Sequence, residues 1–320
     1  MTSFDLNFPC AFGAPVGTAG FRVANEDFFV DEALGFVPEG AGEHVLLQLE
    51  KNGDNTPWLA RQIARLAGVE SRDVGYCGLK DRHGVTRQWF SVYLPKGDEP
   101  DWSALNSDTV TLLQSARHRQ KLRRGQHQCN RFRIRLRDID GERSALDEKL
   151  SRIAERGVPN YFGEQRFGLD GGNLEAAERM LVAGSKIKNR EKRSMVLSAA
   201  RSWLFNQVLA ARVVRGDWAQ RLPGDPLEGV YPSGPLWGRG RSLASDDTRQ
   251  LETEVLNTWQ SWCEPLEFTG LTQQRRSLVN VPEALSWAYD GADLELRFSL
   301  TTGAYATALV RELVHPRSGT

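Results

Sequence analysis

A single carboxylate stands in a basic, glycine-bounded stretch of the chain, GYCGLKDRHGVTRQW at residues 75–89. Asp81 lies there between Lys80 and Arg82, and we expect these two cations to keep its carboxylate ionised. An ionised aspartate can act as a nucleophile or as a general base. Glycines on both sides would let the backbone or a bulky substrate come close, at Gly75, Gly78 and Gly84.

The four residues from Asp81 to Gly84, Asp-Arg-His-Gly, also fit a type I turn, which favours Asp first and Gly last. The turn and the catalytic interpretation are compatible, because catalytic residues often lie on loops held by rigid strands. The neighbouring sequence offers no second carboxylate, so it does not indicate the two-carboxylate site of glycosidases.

Basic side chains are concentrated in two segments, although the whole chain has 41 basic and 41 acidic residues. Residues 117–137 hold nine Lys and Arg and no Asp or Glu, and residues 186–193 add five more, including Lys186 and Lys188. Within the first segment, NRFRIRLRDI alternates strictly. This predicts a strand with one apolar face and one cationic face, made of Arg131, Arg133, Arg135 and Arg137. Such a row is either a solvated face or a track for a phosphate backbone.

Most aromatic side chains are expected in the core, but rings near glycine turns could stack on an unpaired base. The candidates are Phe28 in NEDFFVDE, Phe132 in the alternating strand and Tyr305 in TTGAYAT. Asn130 could hydrogen-bond a base, hold the Asp81 loop, or serve only as a capping or turn residue.

Length, charge and missing motifs exclude several classes of protein. A chain of 320 residues suggests about two domains, and it shows no apolar run of membrane-spanning length and no secretory signal. The four cysteines are far apart, so we expect no zinc site and no disulfides, and a reduced, cytoplasmic protein. P-loop, zinc-protease and Rossmann motifs are absent.

The order of predicted elements indicates an interrupted β-rich domain. Strands are predicted within residues 20–52, followed by a helix with Thr56 as N-cap and Gly68 at its end. Strands flank the Asp81 loop, and a helix ends at Gly157. Residues 174–213 are mainly helical in pattern, and strand patterns return near Leu278, before a glycine turn and a final helix.

Several segments together resemble one family. GYCGLKDRHGVTRQW resembles the active-site Gly-x-Lys-Asp loop of the TruD family of pseudouridine synthases. Further segments are similar to that family in the same order: NEDFFVDE, GVPNYFGEQRFG, LSAARSWLFN and GAYATALVREL. The resemblance spans nearly the whole chain, although residues 93–116 and 214–272 carry no signature.

The resemblance implies an α+β fold, with the mixed, mostly antiparallel sheet and flanking helices of pseudouridine synthases. It implies a catalytic domain at 1–156 and 278–320, with a family-specific α/β domain inserted at 157–277. The implied activity is isomerisation of uridine to pseudouridine at position 13 of tRNA, without cofactor or metal, by a protein that we expect to be monomeric.

The resemblance also assigns roles to residues. Asp81 matches the aspartate that promotes cleavage of the N1–C1′ bond of a flipped-out uridine, either by attacking the sugar or by abstracting a proton to give a glycal. Residues around the uridine would be Phe28, Asn130 and Tyr305, with Phe132 beside them. Lys80 would tune Asp81 or contact phosphate. The tRNA backbone would be held by Arg131, Arg133, Arg135, Lys186 and Lys188.

Three other interpretations make different predictions. A non-catalytic RNA-binding protein would keep its function in the Asp81→Ala variant. An Asp-dependent enzyme acting on a free nucleoside or glycoside would not need the arginine row. A structural protein with solvated arginines would show no salt-dependent affinity for RNA.

Overall fold

The structure is a computed structural model that describes residues 4–96 and 98–318. It divides into two compact units. The sheet unit consists of residues 17–142, 282–303 and 315–318 as far as they are described. The helical unit consists of residues 4–16, 143–281 and 304–314.

The described part of the chain forms fifteen strands and seven α-helices. In chain order the strands are β1 Thr18–Phe21, β2 Phe28–Ala33, β3 His44–Asn52, β4 Val74–Tyr76, β5 Val85–Tyr93, β6 Val110–His118, β7 Cys129–Asp140, β8 Val158–Pro159, β9 Leu227–Glu228, β10 Tyr231–Leu236, β11 Gln274–Ser277, β12 Val279–Asn280, β13 Glu283–Asp290, β14 Asp293–Thr301 and β15 His315–Ser318. The helices are α1 Thr56–Ala67, α2 Arg143–Arg156, α3 Gly172–Leu181, α4 Arg190–Arg215, α5 Asp246–Leu256, α6 Gln260–Glu267 and α7 Ala306–Leu313.

One ten-stranded sheet organises the sheet unit. Its main path runs β13-β14-β7-β2-β5-β3-β6, with β4 paired to β5 and β1 placed between β7 and β15. Among the described strands of this sheet, only the pairs β2–β5 and β1–β15 are parallel. The predicted mixed, mostly antiparallel sheet is therefore confirmed. The last strand of the chain, β15, which pairs with β1, was not predicted.

Strand β7 has the alternation that its sequence predicts. Phe132, Ile134 and Leu136 are buried, whereas Arg131 and Arg133 are exposed. The strand lies between β14 and β2 in the sheet, so each of its inward side chains packs between two neighbouring strands. The side chains of this central strand are therefore apolar on one face of the sheet and cationic on the other.

Helix α1 covers the part of the sheet that is built from β3, β4 and β5. Leu59 and Ile63 are fully buried in the same core cluster as Leu47 and Phe90. The predicted end is confirmed, because Gly68 closes the helix in the left-handed conformation with φ of 65°. The predicted N-cap was wrong by one residue. Asn55 occupies the N-cap position without a side-chain capping bond, and Thr56 is the first residue of the helix.

The helical unit is built around the 26-residue helix α4. Its buried face contains Trp203 and Phe205, and α3, α5 and the small β9-β10-β11 sheet pack against it. The predicted helical character of residues 174–213 is confirmed by α3 and α4. Helices α2 and α7 also belong to this unit. The domain boundaries predicted at 157–277 stay a prediction.

Candidate active site

The Asp81 loop connects β4 to β5 and is fixed by buried side chains at three backbone groups. Gln88, Thr56 and Lys51 are completely buried, and each bonds to the loop from inside the sheet unit. The bonds run from Gln88 Nε2 to the Gly78 carbonyl (2.6 Å), from the Lys80 amide to Thr56 Oγ1 (3.1 Å) and from Lys51 Nζ to the Asp81 carbonyl (3.0 Å). The loop is therefore preorganised before any substrate arrives.

The hydrogen bond that closes a type I turn from Asp81 to Gly84 is not formed. The Gly84 amide instead donates to the Arg82 carbonyl at 3.1 Å, and Lys51 occupies the Asp81 carbonyl. Gly84 is required for another reason. A Cβ at this position would lie 2.6 Å from the carbonyl oxygen of Phe28. The glycine allows the loop to lie directly against β2.

Lys51 is a buried ammonium held mainly by backbone carbonyls. It donates to the carbonyls of Asp54 (2.6 Å) and Asp81 (3.0 Å). Burial lowers the pKa of Lys51 to about 8, although the nearby carboxylates of Asp54 and Asp81 oppose that shift. Lys51 thereby links the loop that precedes α1 to the loop that carries Asp81.

The carboxylate of Asp81 is partly exposed and ion-paired with Arg22. Arg22 Nη2 donates to Asp81 Oδ2 at 2.9 Å, and the two side chains are 15% and 30% exposed. The guanidinium also lies 3.9 Å from the ring centroid of Phe28. The flanking cations that were expected to keep Asp81 ionised have other direct partners: Arg82 donates to the Gly53 carbonyl, and Lys80 pairs with Glu32.

Lys80 lies at the centre of a buried polar network. Its ammonium is 2.6 Å from Glu32 Oε2 and donates to Asn130 Oδ1 at 2.5 Å. Burial raises the pKa of Glu32, and the neighbouring Lys80 counteracts that rise. Glu32 and Asn130 are register partners on β2 and β7, so one lysine reaches both side chains from the loop.

Lys80 and His127 contact the two ends of the Asn130 amide. Because Lys80 donates to Oδ1, the amide Nδ2 faces His127 Nε2, at 3.1 Å, and donates to it. Burial, and secondarily the charge of Lys80, lowers the pKa of His127 to about 4, so the ring accepts this bond as a neutral imidazole. Asn130 therefore contacts the Asp81 loop through the side chain of Lys80, and its role stays a prediction.

Phe28 and Phe132 lie in a row of rings on the same face of the sheet. Phe28 is 2% and Phe132 9% exposed. Their centroids are 6.0 Å apart, and Phe132 stacks on Phe298 at 5.3 Å. The Arg22 guanidinium covers one face of Phe28. Phe28 therefore contacts the guanidinium that pairs with Asp81, and the role of both rings towards a substrate stays a prediction.

The arginine row lies on the opposite face of the sheet from Asn130 and Phe132, because neighbouring residues of β7 alternate. Some of its members have acidic partners. Arg135 is 3.1 Å from Asp290, and Arg137 is 2.7 Å from the buried carboxylate of Asp27. Arg131 is 3.6 Å from Asp31, and Arg133 lies over the ring of Phe29. The row is therefore partly neutralised.

The remaining predicted residues belong to the helical unit. Tyr305 precedes α7, and its hydroxyl accepts a hydrogen bond from Arg166 Nη2 at 2.8 Å. Its ring lies edge-to-face on Phe162, with centroids 5.9 Å apart. Lys186 and Lys188 are exposed in the connection between α3 and α4.

Sequence reasoning missed Arg22, Lys51 and Glu32. Two of them could have been found from strand alternation. Lys51 continues the buried set of Leu47 and Leu49 on β3, and Glu32 continues that of Phe28 and Val30 on β2. No comparable signal exists for Arg22, which follows β1 with φ of 58°.

Across residues 4–96 and 98–318, no helix is long and apolar enough to cross a membrane. In the same residues, no group of three or more His, Cys, Asp or Glu side chains is placed to hold a metal ion.

Comparison with known proteins shows the family to which this chain belongs. The family described as tRNA pseudouridine synthase D (TruD) matches residues 14–189, which is more than half of the chain. The tRNA pseudouridine synthase D of Cellvibrio japonicus is 51% identical over 316 residues, covering 97% of this chain and 94% of the relative. The chain belongs to the TruD family.

Other TruD proteins agree in sequence and fold. The tRNA pseudouridine synthase D of Nitrosococcus oceani is 47% identical, covering 94% of this chain and 91% of that protein. A solved structure from Methanosarcina mazei, described as a candidate TruD, superimposes with a TM-score of 0.66 at 19% identity. It covers 98% of this chain and 95% of the other. The resemblance to this family and the predicted α+β fold are therefore confirmed.

Proposed function

We propose that this protein isomerises uridine to pseudouridine at position 13 of tRNA, with Asp81 as the catalytic aspartate. Family membership supports the reaction class. The observation that carries the assignment of Asp81 is its geometry. It is a partly exposed carboxylate paired with Arg22, on a loop that three buried side chains fix. A turn residue without function would not need this support.

The proposed reaction breaks the N1–C1′ bond of uridine and forms a C5–C1′ bond. N1 gains a proton, and the proton on C5 is released to solvent, so no cofactor or metal is required. Two routes use an ionised Asp81: attack on C1′, or abstraction of a sugar proton to give a glycal. In both routes the positive charge of Arg22 faces the Asp81 carboxylate, and its hydrogen bond orients the oxygen Oδ2. The target base must first be flipped out of the RNA stack.

We assign substrate contacts by the same proposal. The residues assigned to the target uridine are Phe28, Asn130, Tyr305, Phe132 and Lys80. Lys186 and Lys188 have exposed ammonium groups and no ion-pair partner among the described residues, which suits contact with phosphate. Residues 157–277 form the inserted domain. The protein works as a cytoplasmic monomer.

The position of the product tests the proposal. Purified protein is incubated with a tRNA transcript, and pseudouridine is mapped by carbodiimide modification and primer extension. We expect one stop that reports position 13, and none on a transcript carrying cytidine there. Pseudouridine at another position only would overturn the site assignment, and none in any tRNA would overturn the function.

Lys51→Met should misplace Asp81 without removing its carboxylate. The variant loses the bonds that join the Asp54 and Asp81 carbonyls. We expect kcat to fall about 10- to 100-fold with KM changed less than about threefold, since small displacements of a catalytic group mainly affect the chemical step. Single-turnover and steady-state rates measure this. A change confined to KM would contradict a positioning role.

Tyr305→Phe should retain most activity, because it keeps the ring and loses only the hydroxyl that Arg166 holds. We expect a rate within about threefold of the natural protein. Tyr305→Ala should lose about tenfold or more, as expected when a base loses an aromatic partner. Equal losses in both variants would show that the hydroxyl, rather than the ring, is the important group.

A further inference from the structure

The exposed face of α1 carries a tryptophan and two arginines. Trp58, Arg61 and Arg65 follow helical spacing on the side of the helix away from the core, and all three are exposed. Arg82, from the Asp81 loop, is exposed beside them. We call these four residues the α1 surface. None of its three arginines has an ion-pair partner among the residues that the structure describes.

The α1 surface borders a cavity of about 440 Å³. Trp58, Arg61 and Arg82 line it together with residues 53–55 and Pro57. Trp58 is 39% exposed, so part of its ring is accessible to a ligand. The lining also contains one carboxylate, Asp54, whose Oδ2 atom is buried, so the three arginines of the α1 surface outnumber the acidic groups.

This surface is directly connected to the candidate catalytic residue. Arg82 is the next residue after Asp81 in the chain. Beneath the surface, Lys51 bonds to the carbonyls of both Asp54 and Asp81 and so holds the cavity wall and the catalytic loop together. A strand whose target nucleotide occupied the Asp81 site would therefore run past Arg82, which lines the cavity.

We propose that the α1 surface binds the RNA strand next to the target uridine, with a base stacked on Trp58 and phosphates contacted by Arg61, Arg65 and Arg82. An aromatic ring among unpaired arginines is the arrangement that binds single-stranded nucleic acid. Guanidinium groups suit phosphate because they present several donors in one plane. This subsite rests on the proposed function, because it takes the tRNA as its ligand.

The arginine row of β7 suits this task less well. It lies on the opposite face of the sheet from Asn130, and Arg135 and Arg137 already have acidic partners. The arginines of the α1 surface lie beside the Asp81 loop and have no such partners among the described residues. Within the sheet unit, the α1 surface therefore replaces the arginine row of β7 as the proposed site of phosphate contact.

The test compares two double variants that remove the same charge. Arg61→Ala/Arg65→Ala alters the α1 surface, and Arg72→Ala/Arg297→Ala removes exposed arginines that are paired with Glu70 and Glu295. Affinity for the tRNA transcript is measured by filter binding between low and moderate salt. We expect the first variant to bind about tenfold or more weakly, with a salt slope smaller by about 0.7–0.9 for each arginine lost. The control should stay near the natural protein.

Trp58 gives an independent measurement that does not depend on charge. Trp58→Ala should weaken binding about tenfold with an unchanged salt slope, and Trp58→Phe should restore most of the affinity. Thermal unfolding of each variant checks that the fold is retained. Equal affinities and slopes for the Arg61/Arg65 and control variants would overturn the subsite, even if the natural protein forms pseudouridine. If the natural protein forms none, the proposed function fails, and the binding data still decide whether this surface contacts RNA.

Discussion

Asp81→Asn should abolish formation of pseudouridine while leaving the affinity for tRNA near that of the natural protein. The substitution keeps the size and shape of the side chain but removes the charge that both chemical routes require. We expect a loss of more than about a thousandfold in the single-turnover rate, as for other groups that act directly on the reacting bond. Binding should change little, because one carboxylate in a basic site does not attract a polyanion.

A matched substitution tests whether the loss of one negative charge is enough to change the rate. Asp108→Asn removes the same charge from an exposed loop position of the same unit, and it should leave the rate unchanged. Filter binding with the tRNA transcript gives the affinity of each variant. If the Asp81→Asn variant loses binding to the same extent as it loses activity, the carboxylate holds the loop or the RNA and does not act on the sugar.

Lys80→Met should strongly destabilise the sheet unit. The side chains of Lys80 and Glu32 are 6% and 0% exposed, so the variant leaves a buried carboxylate without its counter-charge. Breaking a buried ion pair from one side costs roughly 3–5 kcal/mol in the free energy of unfolding. Urea denaturation of the variant and the natural protein measures this difference.

Two controls identify the buried charge as the cause. The double variant Glu32→Gln/Lys80→Met keeps an acceptor for the Trp89 amide and should recover much of the lost stability. The loss in Lys80→Met should also shrink as the pH falls. Burial raises the pKa of Glu32, and without Lys80 the folded state takes up a proton before the unfolded state does, so acid favours folding. A loss that is independent of pH, and that persists in the double variant, would show that packing and not charge is responsible.

Local patterns predicted the elements of the fold well, and long-range pairing poorly. The alternation in β7 and the glycine end of α1 depend on neighbouring residues, and both are confirmed. Strand β15 pairs with β1 from the other end of the chain, and no local pattern specifies such a partner. The hydrogen bond between Thr56 and Gln88 likewise joins residues that are distant in sequence.

The same limit applies to the candidate site. Asp81 could be singled out because its loop has an unusual local composition, but its ion-pair partner could not be. Lys80 and Arg82 were expected to keep it ionised because they are adjacent, whereas its ion-pair partner Arg22 lies 59 positions away in the chain. Charge spacing alone also could not show that the arginines of β7 have acidic partners. Only the sheet register and the neighbouring strands determine that.

Release of tritium from C5 of uridine tests directly whether this protein isomerises uridine and whether Asp81 is required. A tRNA transcript labelled with tritium at uridine C5 is incubated with the natural protein and, separately, with the Asp81→Ala variant. We expect the natural protein to release tritium to water, because C5 becomes the glycosidic carbon, and we expect the variant to release none. Release by both proteins would remove Asp81 from the chemistry. No release from any tRNA, with binding intact, would leave an RNA-binding protein whose Asp81 serves only the loop.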